Sequence, residues 1–305
     1  MMKKVLVTGA TGFIGRHSLS FLLEKGYEVH AVSSRILPHK LPDVHWHQAD
    51  LLNHENISVL LAEIHPTHLL HFAWFTVPGE YWNSLENFRW VRASLDLLEA
   101  FVKNGGRRGV VAGTCAEYDW QYGYCSEQIT PLIPTTLYGI CKHSLQIMFE
   151  AFASQTDLSS AWGRIFFLYG PYEPSDRLVS SVVQALLRGD IASCSHGNQI
   201  RDFLYVQDVA DAFVTLLDSD IMGAVNIASG IPIVLKDIIY KIGEKLNGKN
   251  LIRLGENPVS TNEPPLVVAD VRFLKNRLGW SPKFDLDEGL NQTIHWWQKH
   301  LSGKK

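Results

Sequence analysis

Lys3-Lys4-Val5-Leu6-Val7-Thr8-Gly9-Ala10-Thr11-Gly12-Phe13-Ile14-Gly15 stands directly behind two methionines, and its reading decides the fold. Val5, Leu6 and Val7 form a short apolar run that ends at a turn signal, as a buried strand does. Phe13, Ile14, Leu19, Leu22 and Leu23 then recur at spacings that suit one face of a helix. The segment therefore reads as strand, glycine-rich turn and helix. In that setting Gly9 permits a tight turn and Gly12 lets the main chain approach a pyrophosphate. Gly15 lets helix and strand pack closely, with the helix N-terminus facing the anion. The expected ligand of the turn is a dinucleotide, with Thr11, Phe13 and Ile14 completing the cradle. A glycine triplet alone is a weak sign; the strand before it and the helix after it are what the motif requires.

At 305 residues the chain exceeds the usual ~100–200 residues of one domain, so two domains, or one large domain with an appended lobe, are expected. Its net charge is −3 with Lys and Arg dispersed, so no nucleic-acid or membrane partner is expected and a small molecule is. The N-terminus lacks the roughly 7–15-residue apolar core of a signal peptide, and no apolar run approaches the ~20 residues of a membrane helix. A cytoplasmic protein is the expectation. Cys115, Cys125, Cys141 and Cys194 are widely separated and form no Cys-x-x-Cys, which agrees with a reducing compartment.

Residues 27–32 read as a second strand ending at Ser33-Ser34-Arg35, where such folds place the adenosine ribose, ~20 residues past the glycine turn. An acidic side chain there would accept a ribose hydroxyl's hydrogen bond. Two hydroxyls and a guanidinium instead suit a 2′-phosphate, so NADP(H) is expected over NAD(H). Residues 44–51 form the third strand, with Asp50 and Leu51 expected beside the adenine, and 53–65 a helix. Residues 67–74 form the fourth strand, where small Ala73 leaves room for the cofactor between Phe72 and Trp74. His39, His45, His47, His54, His65, His68 and His71 invite a metal reading, and His45 and His47 share a strand face. No Cys, Asp or Glu set accompanies them at ligand spacing, and no metal is expected.

Residues 83–103 read as a long helix with Leu85, Phe88, Val91, Leu95, Leu98 and Val102 at helical spacing, stopped by Asn104-Gly105-Gly106. Residues 108–114 are the fifth strand and deliver the Thr114 hydroxyl at the sheet edge where ligands bind. Pro134 to Lys142 opens a further helix. Tyr138 and Lys142 lie four apart, hence on one face of it. Hydride transfer to a carbonyl needs a proton donor for the developing alkoxide, and a phenol with an ordinary pKa near 10 is sluggish at neutral pH. The Lys142 ammonium is expected to lower it and to hold the nicotinamide ribose, while Thr114 orients the substrate oxygen. Downstream, 158–168 read as a sixth strand, 178–188 as a helix, 208–217 as a helix, 223–227 as a strand and 234–246 as a helix. Trp296 and Trp297 read as packing.

On these residues the sequence resembles the extended short-chain dehydrogenases/reductases, in the branch of nucleotide-sugar epimerases, dehydratases and ketoreductases. The resemblance covers nearly the whole chain. It rests on Thr8-Gly9-Ala10-Thr11-Gly12-Phe13-Ile14-Gly15, Thr114, Tyr138-Gly139-Ile140-Cys141-Lys142, Tyr169-Gly170-Pro171 and Arg201-Asp202-Phe203-Leu204-Tyr205-Val206-Gln207-Asp208-Val209-Ala210. It implies an α/β doubly wound parallel sheet of Rossmann type with a smaller, noncontiguous α/β substrate lobe. The expected division is 1–168 with about 203–228 for the dinucleotide, and about 169–202 with 229–305 for the nucleotide sugar. Thr114, Tyr138 and Lys142 are implied as the catalytic triad, and Thr76, Thr114, Glu117, Phe167 and Arg201 as substrate residues, with Arg201 on the diphosphate. A homodimer through the helices containing Leu95 and Leu145 is implied as well.

Departures from the family pattern narrow the expected activity. Dehydratases of the family carry an Asp-Glu pair immediately after the catalytic Thr, where this chain has Cys115 and Ala116. Epimerases that combine 3,5-inversion with reduction place a Cys two residues past the hydroxyl, where Ala116 stands, and Cys115 reads as a buried small residue. Phe167 occupies a position at which many relatives bind the diphosphate through an Asn. The expectation is NADPH-dependent reduction of the 4-keto group of a nucleotide-linked 4-keto-6-deoxy sugar, in carbohydrate biosynthesis. An NAD-dependent 4-epimerase is the alternative and a non-catalytic NADP-binding sensor the second alternative.

Overall fold

The computed structural model describes residues 3–35, 41–259 and 263–302; His39 and Asn262 of the Pro-rich segment lie outside them. The first strand β1 (Lys4–Thr8) runs into α1 (Gly15–Glu24) through the glycine turn. It is followed by β2 (Glu28–Ser33), β3 (Val44–Gln48), α2 (His54–Ile64), β4 (His68–His71), α3 (Glu86–Lys103) and β5 (Arg108–Thr114). Then come β6 (Tyr124–Cys125), α4 (Leu137–Ser154), β7 (Ser159–Ile165), β8 (Phe167–Tyr169), α5 (Leu178–Arg188), β9 (Ala192–Cys194) and β10 (Ile200–Tyr205). The chain closes with α6 (Val206–Leu217), β11 (Gly223–Ile227), β12 (Pro232–Val234), α7 (Leu235–Lys245), β13 (Ile252–Leu254), β14 (Leu266–Ala269), α8 (Arg272–Asn276) and α9 (Leu286–Ser302).

The main sheet has the order β11-β7-β5-β4-β1-β2-β3 and every pairing in it is parallel. Such a sheet must be covered on both faces, and the alternation within β1 shows how. Val5 and Val7 pack with Leu19 and Leu22 of α1 and Val209 and Phe213 of α6. Leu6 points the other way, into a core with Leu60 and Leu61 of α2, Leu97 of α3 and Leu145 of α4. Each such buried side chain contributes roughly 1.5–3 kcal/mol. Strand order reverses between β1 and β4, and the crevice at their C-terminal ends is where ligands bind in sheets of this kind. This is the doubly wound α/β architecture expected from the opening stretch.

The strand expected over 158–168 is two strands in two sheets. β7 stays in the main sheet, while β8, after Phe166, pairs with β10 at Phe203↔Phe167 and Tyr205↔Tyr169. β10 also pairs with β12 and β14, and β14 pairs with β6. β10 thus belongs to the second sheet through Tyr205, past the expected boundary at 202. A third core, with Val182 and Val183 of α5, Ile238 and Ile242 of α7 and Leu290 and Trp297 of α9, fills this second lobe. Asp202 pins it, accepting hydrogen bonds from Ser229 N at 2.8 Å, Ser229 Oγ at 2.6 Å, Gly230 N at 2.9 Å and Ala269 N at 3.2 Å.

Candidate active site

The glycine turn has the backbone its sequence demands. Gly9 sits at φ +64°, and a Cβ there would stand 2.8 Å from Ala73 N at the end of β4. A Cβ on Gly15 would collide with the carbonyl of Gly9, so only glycine lets α1 start this close to β1. α1 begins without a side-chain cap or an acidic residue in its first turn, so no side chain competes with an anion for its N-terminus, although Arg16 N and His17 N already donate to Gly12 O and Ile14 O. Arg16 braces the turn, donating from Nε to Gly12 O at 3.1 Å and from Nη2 to Thr11 O, and lies 3.8 Å from the centroid of the Tyr172 ring. The cradle fits a dinucleotide pyrophosphate.

At the end of β2 the expected trio divides. The Ser33 hydroxyl is spent on its own turn, accepting from Arg35 N at 3.1 Å and donating to Arg35 O at 2.9 Å, and Ser33 is buried. It shapes the loop, whereas Ser34 and Arg35 are exposed. Asp50 is exposed just past β3 and accepts from Leu52 N at 3.0 Å, beside buried Leu51. After β4, Ala73 is buried and Trp74 donates from its indole N–H to Asn87 of α3 at 2.8 Å, while Phe72 packs edge-on against Phe213. His71 is locked between Thr8 Oγ1 at 2.6 Å and Ser94 Oγ at 2.9 Å, and burial pushes its pKa down to about 3.

Thr114, Tyr138 and Lys142 meet at the C-terminal end of β5. Thr136 caps α4 by accepting from Gly139 N at 3.1 Å, and Gly139 is required because a Cβ there would strike the carbonyl of Ala116. That contact presses the first turn of α4 against the end of β5 and brings the Tyr138 phenol close enough to the Thr114 hydroxyl for each to feel the other. Lys142 is buried, donates from Nζ to Ala112 O at 2.8 Å and lies 3.7 Å from the centroid of Trp74. Burial lowers its pKa to about 7, with the nearby Glu117 charge opposing. The expected lowering of the phenol by Lys142 is not what the structure shows: burial dominates and raises the Tyr138 pKa, with Thr114 pulling against it. The ammonium is turned toward Ala112 and Trp74, away from that role.

Glu117, expected at the substrate, serves the framework instead. Its buried carboxylate accepts from Thr114 N at 2.8 Å, Trp162 Nε1 at 2.9 Å and Arg164 Nε at 2.7 Å. With those lone pairs occupied it fixes the Thr114 backbone to β7. Arg201, expected on the diphosphate, forms an ion pair with Glu263 at 2.9 Å and lies 5.3 Å from the centroid of half-buried Phe167. Its charge is nonetheless felt by Cys115, next to Thr114. Thr76 is exposed in the loop after β4.

The sequence reading missed the groups that surround the phenol. Tyr81 and Trp82 stand edge-on to Tyr138, centroids 5.0 and 5.8 Å away, and Trp74 at 6.5 Å completes an aromatic wall. Arg177, at the start of α5 in the second lobe, places its guanidinium 5.5 Å from the Tyr81 ring centroid. A lone Arg and a Tyr-Trp pair in a loop carry no periodicity, so only the fold reveals them. Among the described residues all four cysteines are free and buried, and the Cys125 thiol is pushed up to about 12.

Comparison with known proteins follows this geometry. A family model described as the NAD dependent epimerase/dehydratase family matches residues 5–228. UDP-glucuronic acid decarboxylase 1 of Xenopus tropicalis is 28% identical over 312 aligned positions, covering 98% of this chain and 73% of that protein. CDP-abequose synthase of Salmonella typhimurium is 27% identical over 309, covering 95% and 97%. The structure of MoeE5 in complex with UDP-glucose and NAD superimposes with a TM-score of 0.84 at 30% identity, covering 98% of this chain and 99% of that one.

Proposed function

The chain belongs to the NAD dependent epimerase/dehydratase family, and on that premise we propose that it reduces the 4-keto group of a nucleotide-linked 4-keto-6-deoxy sugar, using NADPH. The observation that carries this reading is the company kept by Tyr138. Its neighbours are the Thr114 hydroxyl and the rings of Trp74, Tyr81 and Trp82, and the nearest carboxylate, Glu117, is committed to Arg164 and Trp162. Cys115, whose thiol burial holds protonated, is a poor base. Among the described residues no uncommitted carboxylate or ionised thiol accompanies Tyr138, which suits addition of a hydride and a proton to a carbonyl better than elimination of water.

When bound, the nicotinamide supplies the hydride. Tyr138 donates its phenolic proton to the substrate oxygen as negative charge develops there, Thr114 holds that oxygen by a hydrogen bond, and Lys142, one turn further along α4 and turned away from the phenol, is left the role of holding the nicotinamide ribose. The product is the 4-hydroxyl, with the C=O double bond replaced by one C–H and one O–H bond. Exposed Ser34 and Arg35 support a 2′-phosphate on the cofactor. Arg177 and Arg201 support a diphosphate on the substrate. Exposed Phe88 on α3 and Ile140 and Ile147 on α4, helices packed on each other, support a homodimer.

The second reading, an NAD-dependent 4-epimerase, is favoured by the family description and by the relative held with UDP-glucose and NAD. The two separate on one preparation. A reductase oxidises NADPH, followed by absorbance, when given a panel of nucleotide-linked 4-keto sugars, and carries little nucleotide after purification. An epimerase releases stoichiometric NAD on denaturation and turns over without added NADPH. Absence of NADPH oxidation across the panel would sink the reductase assignment.

A further inference from the structure

Away from the catalytic edge, β2 and β3 bring together side chains that lie far apart in composition-level reading. Glu28 and His30 alternate on β2 and so share a face. The parallel register His30↔His45 and Val32↔His47 puts His45 and His47 on that face too. His30 Nε2 lies 2.9 Å from Glu28 Oε1 and His30 Nδ1 lies 2.8 Å from His47 Nε2. The His30 and His45 rings stack with centroids 4.8 Å apart. One ligand atom from each of Glu28, His30 and His45 lies within 4.8 Å of the others, and among the described residues this is the one group of three or more His, Cys, Asp or Glu side chains that meets so closely. The expectation of no metal rested on finding no acidic partner at ligand spacing; Glu28 is that partner, supplied by the neighbouring strand.

We propose that Glu28, His30 and His45 bind a divalent transition ion of the zinc class, with His47 orienting His30 from behind. Two imidazoles and a carboxylate suit zinc, whereas magnesium and calcium take all-oxygen sites. Zinc bonds of ~2.0–2.2 Å in a tetrahedron place ligand atoms about 3.3 Å apart, so the Glu28–His30 pair at 2.9 Å opens slightly while the set, now within 4.8 Å, closes around the ion. His45 is exposed on the edge strand and is free to rotate inward, and water completes the tetrahedron from the open side. His30 Nε2 and Glu28 Oε1 are now joined by a hydrogen bond that the ion would replace, its proton being released, while Nδ1 is held by His47 as the second nitrogen of a ligating imidazole usually is. Lys4 Nζ, 3.1 Å from Glu28 Oε1, now neutralises that carboxylate and is partly exposed, so it can yield to the ion. The bound ion would clamp edge strand β3 to β2, the strand that ends at Ser33.

The test uses tag-free full-length chain stripped by chelation and titrated calorimetrically with zinc chloride. One ion per chain in the micromolar range or tighter is expected, unaffected by excess magnesium, together with a rise in melting temperature. Cobalt should give the visible bands of a four-coordinate site. His45→Ala, an exposed position that leaves the core intact, should weaken zinc at least tenfold and abolish the thermal shift, and His47→Ala should weaken it about 10–100-fold. Failure to saturate with submillimolar zinc overturns the proposal. So does zinc uptake that His45→Ala leaves unchanged.

Discussion

Replacing Tyr138 by Phe removes a proton donor and leaves the ring packed among Trp74, Tyr81 and Trp82, so its consequence is chemical and not structural. General-acid catalysis is worth ~10²–10⁴-fold, and Tyr138→Phe should lower kcat by that order while NADPH binding, followed by fluorescence titration, is unchanged. Unaltered turnover would remove Tyr138 from the mechanism. A second residue ties stability to pH. Glu173 is buried, accepts from Ser180 Oγ at 2.7 Å, and burial raises its carboxyl to about 8 from an ordinary 4.5. A raised carboxyl binds its proton more tightly in the fold than in the unfolded chain. Its contribution is therefore complete below the unfolded value and is lost as pH climbs through about 8, at up to roughly 1.4 kcal/mol per pH unit. Glu173→Gln keeps the shape without the titration. Thermal melts should show the variant more stable than the parent at about pH 8.5, with the gap closing toward pH 4.5; an equal gap at both would mean Glu173 is already ionised in the fold.

Among elements, the pair α3 and α4 carries apolar side chains that the fold leaves outside. Ile140 and Ile147 are 46% and 54% exposed and seven apart, hence on one face of α4, and Phe88 of α3 is 57% exposed. If two copies pack there as proposed, Ile147→Glu places a charge in the seam, and light scattering should report a monomer while the melting temperature of the fold changes little. A parent chain that is monomeric at micromolar concentration would overturn the arrangement. The same scale shows what a sequence can carry. β1 and α1 were legible because Val5-Leu6-Val7 is continuous, Gly9 and Gly15 are forced by backbone contacts, and the pattern is local. That Tyr138 and Lys142 share a helix face was legible from their spacing of four, and the place of Thr114 from the end of its strand. β9, β12 and β13 were not, because three-residue strands have no period and their partners lie tens of residues away. Glu117 was misread for the same reason: its partners Trp162 and Arg164 arrive from another strand, and nothing around position 117 announces them. The break at Phe166 was hidden because Ile165-Phe166-Phe167-Leu168 runs apolar straight through the passage between sheets.

On the proposed function, reaction and recognition fall to different lobes of the molecule. Tyr138 and Thr114 stand on the main sheet's edge, whereas Arg177 comes from the second lobe, reaching across to Tyr81, whose ring stands 5.0 Å from Tyr138. A sugar diphosphate bound between them would present its charge to guanidinium groups of the second lobe and its carbonyl to the first. Arg201 is a less direct probe of this division, since removing it strands Glu263 of its ion pair and mixes folding with binding. Arg177 is half-buried and stands over the Tyr81 ring, and because its charge is also felt by buried Glu173 its removal is read with a melting curve beside the kinetics. A charged hydrogen bond is worth about 1.5–3 kcal/mol, and Arg177→Ala should therefore raise KM for the nucleotide sugar on the order of ten- to a hundredfold. If the guanidinium holds the diphosphate equally in ground and transition states, kcat stays nearly constant and Arg177→Lys recovers part of the loss. A fall in kcat at unchanged KM would instead put Arg177 at the reacting end, acting through Tyr81 on the position of Tyr138.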